Sequence, residues 1–193
     1  MCPLNKKDKS AFGAAFLMVM AAAAVSACGQ AGGEDKSACV DGFRGDTITF
    51  TPTACTDCTN TDPDLAIDQD ADTESPITFD ATGQNSNGGQ VSLKADSPRQ
   101  FAPGGMAGGL IMFPHTSMGF AKVNVSFNTY LNGVLQENFG AASFTVGNMA
   151  FSPDKHYYGG QTSKAFDSLE AVIDLEGMSE PETVRVFELC AAH

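Results

Sequence analysis

Apolar side chains recur at every second position along most of this chain. Asp46-Thr47-Ile48-Thr49-Phe50-Thr51 alternates, as does Gln90-Val91-Ser92-Leu93-Lys94-Ala95. Val123, Val125 and Phe127 alternate with Asn124, Ser126 and Asn128, and Tyr130-Leu131 then leads through Asn132-Gly133 into Val134-Leu135. A period of two puts one set of side chains on each face of a strand. Asn-Gly between two such runs predicts a two-residue hairpin, because both turn positions take positive φ. Leu169, Ala171, Ile173 and Leu175 share one strand face, and Val184, Val186 and Leu189 mark a final apolar strand. Pro103-Gly104-Gly105, Gly108-Gly109, Ser152-Pro153 and Tyr158-Gly159-Gly160 read as breaks between strands. Short strands so punctuated predict an all-β sandwich or barrel.

The opening of the chain departs from this pattern. Lys6, Lys7 and Lys9 surround Asp8, and the uncharged run Ala11–Val25 follows, too short for the ~20 apolar residues of a spanning helix. A charged start, a short apolar middle and a small-residue end predict a secretory signal peptide. Val25-Ser26-Ala27-Cys28 resembles the lipobox of bacterial lipoproteins. That resemblance implies cleavage after residue 27, a diacylglycerol on the Cys28 sulfur and an acyl chain, such as palmitate, on its new amino group. Each buried methylene contributes roughly 0.8 kcal/mol and two chains suffice for a stable hold, so the anchor would be the membrane itself. Gly29 stands where Asp would retain a Gram-negative lipoprotein in the inner membrane, which implies the outer membrane in such a cell. The chain then divides into a signal peptide over residues 1–27, the lipidated cysteine and a Gly-rich tether over 28–44, and one β-sandwich domain over 45–193.

Charge narrows the partners. The full chain carries 11 basic and 23 acidic residues, a net of −12, and loss of residues 1–27 leaves 8 and 22, a net of −14. An acidic body of this size repels phosphate backbones, which excludes nucleic acid as a partner.

Three stretches resemble the galactose-binding-like jelly roll of discoidin domains and carbohydrate-binding modules. Asp64-Leu65-Ala66-Ile67-Asp68-Gln69-Asp70-Ala71-Asp72-Thr73 is similar to the family's early loop, an apolar pair before Asp-Gly-Asp and Thr. Phe166-Asp167-Ser168-Leu169-Glu170-Ala171-Val172-Ile173 is similar to its Phe-Asp-x-Val-Arg-Ile strand, and Val184-Arg185-Val186-Phe187-Glu188-Leu189 to its closing strand. Gln69 replaces the loop glycine, Glu170 replaces the common Arg, and the chain has no tryptophan. The resemblance implies a single jelly-roll sandwich serving as a non-catalytic binding or adhesion module for a glycan or envelope polymer. The alternative is a structural or assembly lipoprotein that contacts another envelope protein and has no small ligand.

With Cys2 in the signal and Cys28 lipidated, Cys39, Cys55, Cys58 and Cys190 remain, an even set that predicts two disulfides among three connectivities. Jelly-roll ends lie close together, which favours Cys39 with Cys190 and a local Cys55–Cys58 ring. A redox pair would want a helix N-terminus, and a zinc site a second close ligand pair; neither surrounds Cys55-Thr56-Asp57-Cys58.

No basic residue falls between Arg44 and Lys94, while Asp68, Asp70, Asp72 and Glu74 alternate within that stretch. Calcium takes six to eight hard oxygens, which alternate carboxylates in a turning loop supply. An EF-hand is excluded, since Thr73 sits at its glycine and Phe79 at its bidentate glutamate. The jelly-roll resemblance nonetheless implies a structural calcium here, held partly through backbone carbonyls, with Asp70 and Thr73 foremost among the candidates Asp68, Asp70, Asp72, Thr73 and Glu74. For a sugar, His156, Tyr157 and Tyr158 are the aromatic candidates and Asn85 and Asn87, beside Gln84, the amides. His115, His156 and His193 are scattered and no Gly-x-Ser-x-Gly elbow occurs, so no catalytic residue is assigned and an enzyme is not expected, the minor alternative being an envelope hydrolase without a recognisable motif.

Overall fold

In the computed structural model of the chain, residues 41–43, 47–55, 57–80, 88–113, 122–145 and 155–192 are described, all within the compact unit Ala31–His193. Their alternation is realised as β1 (Asp41–Gly42), β2 (Thr47–Pro52), β3 (Thr59–Asn60), β4 (Ser75–Phe79), β5 (Gly88–Phe101), β6 (Met106–Met112), β7 (Lys122–Leu131), β8 (Val134–Thr145), β9 (His156–Gln161), β10 (Phe166–Glu176) and β11 (Glu182–Ala192). One sheet runs β3-β4-β11-β6-β9, with β1 also paired to β11; the other runs β2-β5-β10-β7-β8. Neighbours in both sheets are antiparallel, and the expected all-β sandwich is the architecture observed. The signal segment, Cys28, Cys39 and most of the expected tether lie outside the described residues.

Period two decides which side chains meet between the sheets. Val91, Leu93 and Ala95 of β5, Leu169, Ala171, Ile173 and Leu175 of β10 and Val123, Val125 and Phe127 of β7 form one inner face. Ile77 and Phe79 of β4, Ile111 of β6 and Val184, Val186 and Leu189 of β11 form the other. Burying such side chains contributes about 1.5–3 kcal/mol each. Phe101 closes one end, its ring 5.2 Å from Phe43 and 4.9 Å from Phe166.

The Asn132-Gly133 turn forms as expected, with φ of 51° and 76° joining β7 to β8. Its Asn132 N–H donates to the Asp167 carboxylate at 2.9 Å. Two of the expected breaks are instead strand interior, because Gly108-Gly109 belongs to β6 and Tyr158-Gly159-Gly160 to β9, with Gly108 opposite Gly159. The ring of Tyr157 lies across that glycine pair, so a Cβ at Gly159 would stand 2.8 Å from its Cζ. Glycine serves there as space for an aromatic ring.

The Cys55–Cys58 disulfide is present, at the point where the chain leaves β2 in one sheet for β3 in the other. Cys190 is also disulfide-bonded, while Cys39, its expected partner, lies outside the described residues. Gly89 gives the local ring its room, since a Cβ there would come 2.8 Å from Cys55 Sγ. Gly89→Ala is therefore expected to cost about 2 kcal/mol. A urea midpoint that falls in the oxidised protein would bear this out; an unchanged midpoint would show that the ring has slack.

Candidate functional site

The acidic loop is built by its own side chains. Its first turn is a 3-10 turn, Pro63–Ile67, which buries Ala66 and Ile67 in the core. Beyond it, Asp68 Oδ1 accepts the Asp70 N–H at 2.8 Å and Asp70 Oδ1 accepts the Asp72 N–H at 3.0 Å, the local pairing that aspartates offer turning backbone. Thr73 Oγ1 lies 2.6 Å from Asp68 Oδ2 and 2.8 Å from the Asp70 carbonyl oxygen. Gln69 adopts φ of 66°, the left-handed conformation that explains why a glycine suits this place.

That turn aims the Gln69 N–H at Glu188 Oε2, 3.0 Å away. Glu188 is 3% exposed, and its Oε1 is buried without a hydrogen-bond partner. Burial, then the nearby Asp68 and Asp70 charges, push its carboxyl up to about 8 against the opposing Gln69 N–H. Sequence reasoning missed this residue. Strict alternation from Val184 and Val186 would send residue 188 into the core, but the ladder between β11 and β6 shifts between Val186 and Glu188. Phe187 is the extra residue, so Glu188 faces out and Leu189 faces in. The signal was legible in the apolar spacing 184, 186, 189, which breaks period two by one residue.

Of the residues expected to hold calcium, Asp68, Asp70 and Thr73 are tied together, whereas Asp72 and Glu74 pair with cations. Lys155 Nζ stands 2.9 Å from Asp72 Oδ1, donates to the Ala71 carbonyl, and lies 4.4 Å from the centre of the Phe187 ring. Arg185 Nε is 3.2 Å from Glu74 Oε2. Among the described residues, no three carboxylate, imidazole or thiol side chains gather closely enough to hold a metal ion by themselves. The arrangement fits a hard cation in another way. A buried carboxylate oxygen lacks a partner beside a loop rich in carboxylate, carbonyl and hydroxyl oxygens, the donor class that calcium prefers.

The aromatic candidates sit on β9, at the end of its sheet, and all three are partly buried. His156 and Tyr158 pack edge to face at 6.4 Å, and Tyr158 meets Phe113 at 5.5 Å and the core behind it. Tyr157 lies on the opposite face over Gly108 and Gly159. Burial raises the Tyr158 phenol to about 12 and raises Tyr157 further, so both stay protonated through the physiological range. Gln84, Asn85 and Asn87 lie outside the described residues.

A different surface brings polar groups together. On the outer face of the five-stranded sheet, Thr49, Lys94, Glu170, Asn128 and Asn138 stand opposite one another in a row across all five strands. Glu170 Oε2 accepts from Asn128 Nδ2 at 2.8 Å and from Tyr130 Oη at 2.5 Å, and Asn138 Nδ2 donates to Asn128 Oδ1 at 2.5 Å. Burial alone would raise the Glu170 carboxyl, but hydrogen bonds from Tyr130, Asn128 and Ser92, with the Lys94 charge, outweigh it and hold it below its ordinary 4.5. Tyr130 is correspondingly raised to about 12 by burial and by Glu170. Lys94 Nζ sits 5.3 Å from the Tyr130 ring centre and 2.5 Å from Asp96 Oδ1. The result is a half-exposed plane of fixed acceptors, amides and one aromatic ring.

No family model and no curated protein matches the sequence. Solved structures with a similar backbone include a carbohydrate-binding module of the β-sandwich superfamily, at 15% identity and a TM-score of 0.48 over 80% of this chain and 62% of that one. A family 32 carbohydrate-binding module from a family 31 glycoside hydrolase of Clostridium perfringens shares 11% identity, with a TM-score of 0.44 over 80% and 98%. A chitosan-binding module from a Paenibacillus chitosanase/glucanase, solved with chitotriose, shares 9% identity, with a TM-score of 0.40 over 77% and 96%. The chain thus spans less than two thirds of the first. At such identities and scores the architecture rests on the strand register given above, and no ligand is taken from these proteins.

Proposed function

We propose that this protein is a non-catalytic carbohydrate-binding module, held at the cell envelope by lipid on Cys28, with the sugar on the outer face of the five-stranded sheet. The observation that supports this most is the Glu170 node. Sugar hydroxyls are bound by acceptors and amides fixed in one plane beside an aromatic ring, and Glu170, Asn128, Asn138 and Tyr130 are fixed by one another in that way. A carboxyl held ionised by two donors suits an acceptor of hydroxyl protons. It does not suit the general acid of a glycosidase, whose pKa is raised. Affinity electrophoresis of residues 29–193 in gels with and without polysaccharide tests the reading, and retardation by at least one polymer is expected.

The anchor has its own test. Mass spectrometry of the membrane fraction should find residues 1–27 removed and diacylglyceryl and acyl mass on Cys28, all lost in Cys28→Ala; an unmodified thiol would remove the tether. In a Gram-negative cell, Gly29 in place of a retaining Asp favours the outer membrane for the lipidated domain. Calcium is read as a structural ion held by Glu188 and Asp68 with oxygens of Asp70 and Thr73. A ligand that binds only the folded state stabilises by about 2.7 kcal/mol at a hundred times its Kd. Millimolar calcium is therefore expected to raise the melting midpoint by several degrees over chelator, and identical midpoints would rule the ion out.

A further inference from the structure

Resting on that reading of the sheet face, we infer that its ligand is an extended glycan chain without acidic groups, lying across the strands along Thr49, Lys94, Glu170, Asn128 and Asn138.

Direction follows from register. The five residues are opposite partners on successive strands, so the row runs perpendicular to the chain direction of the sheet. Neighbouring strands are ~4.8 Å apart, close to the advance of one sugar in an extended polysaccharide, so each strand meets about one sugar. A disaccharide would engage under half of the row. The row is also linked side chain to side chain from Asn138 through Asn128 to Glu170, which fixes its acceptors before any ligand arrives.

Selectivity follows from charge. Among the described residues, the two lysines of this face are matched, Lys94 to Asp96 at 2.5 Å and Lys122 to Glu176 at 2.9 Å. Glu170 and Asp174 then add acidic charge on the same face, and the whole chain carries −12. A uronate, sulfate or phosphate on the ligand would meet like charge, and the lysines described on this face are already paired with carboxylates. Hydroxyls and acetamido groups meet acceptors and amides instead.

The test compares cellohexaose, chitohexaose and xylohexaose with their dimers and with a hexamer of mannuronate, by calorimetry on residues 29–193. Wild type, Glu170→Ala, Asn138→Ala and the opposite-sheet control Thr78→Ala are measured, each checked for an unchanged circular dichroism spectrum. Asn138 is exposed, so its removal leaves the fold intact even where Glu170→Ala weakens it. Supporting results are a neutral hexamer bound at least tenfold more tightly than its dimer, no mannuronate binding, and a tenfold or greater loss in Glu170→Ala. Asn138→Ala should lose severalfold and Thr78→Ala nothing. Mannuronate bound as well as the neutral chains, a dimer bound as tightly as its hexamer, or both row variants binding like wild type would overturn this inference and leave the carbohydrate-binding reading standing. Silence with every sugar would overturn both.

Discussion

Raising the pH of the calcium-free protein from 5 to 8 is expected to lower its stability on the order of 4 kcal/mol through Glu188 alone. The Glu188 carboxyl is pushed from its ordinary 4.5 to about 8, first by burial and then by Asp68 and Asp70. The folded state therefore holds this proton more tightly than the unfolded state does. Its contribution is full below about 4.5 and is lost as pH climbs through about 8. Asp96, Glu137 and Glu170 act in the opposite sense. Burial alone would raise all three carboxyls, but hydrogen bonds, foremost those from Lys94, Ser163 and Tyr130 respectively, hold them below their ordinary values. Their contributions are present above those values and disappear as pH falls below them, so the two effects occupy separate windows. Glu188→Gln keeps an acceptor for the Gln69 N–H and removes the charge. Urea midpoints in chelator should decline from pH 5 to 8 in wild type and stay level in the variant. A level wild-type profile would mean that Glu188 is hydrated in the folded protein.

Gly108→Ala is expected to cost about 3 kcal/mol or more and to part β9 from the sheet. A Cβ at Gly108 would collide with the Tyr158 carbonyl oxygen, stand 2.6 Å from Gly159 Cα, and crowd Tyr157 Oη at 2.8 Å. Two of those three atoms are backbone of the paired strand, so no side-chain rotation relieves them. Gly140→Ala is the matched control, since nothing lies within 4 Å of its Cβ position, and its effect should stay within about 0.5 kcal/mol. Urea midpoints of the two variants, with proteolysis to detect release of β9, make the comparison. Equal midpoints would show that β6 and β9 are not held at this spacing.

Alternation made β5, β7 and β10 legible because each has one dry face and one wet one, and Asn132-Gly133 was legible because only residues tolerant of positive φ fit that turn. Glycine misled at Gly108 and Gly159. Locally it weakens a strand, but here the need is set by the Tyr157 ring, which no single segment reveals. The acidic loop was visible as composition, yet Glu188, buried beneath it, is 119 positions away from its hydrogen-bond partner Gln69. The polar face around Glu170 was hidden for a further reason. Sequence shows that β7 and β10 each have a polar side, but which polar side remains open is decided by where loops pack. Loop residues Gln69 and Asp72 reach Glu188 of β11 and Lys155 just before β9, on the other sheet's side, and the Glu170 row stays half-exposed.

The surplus residue in β11 has a consequence for how the strand tolerates change. Val186 pairs with Ile111 and Glu188 with Leu110, as though Phe187 were not there. Excising that one codon would leave every remaining β11 side chain looking to its present side. Only the seat beneath the Lys155 ammonium and the local kink would go. The closing strand thus has a splice point at its middle, where its length can vary by one without scrambling inside and outside.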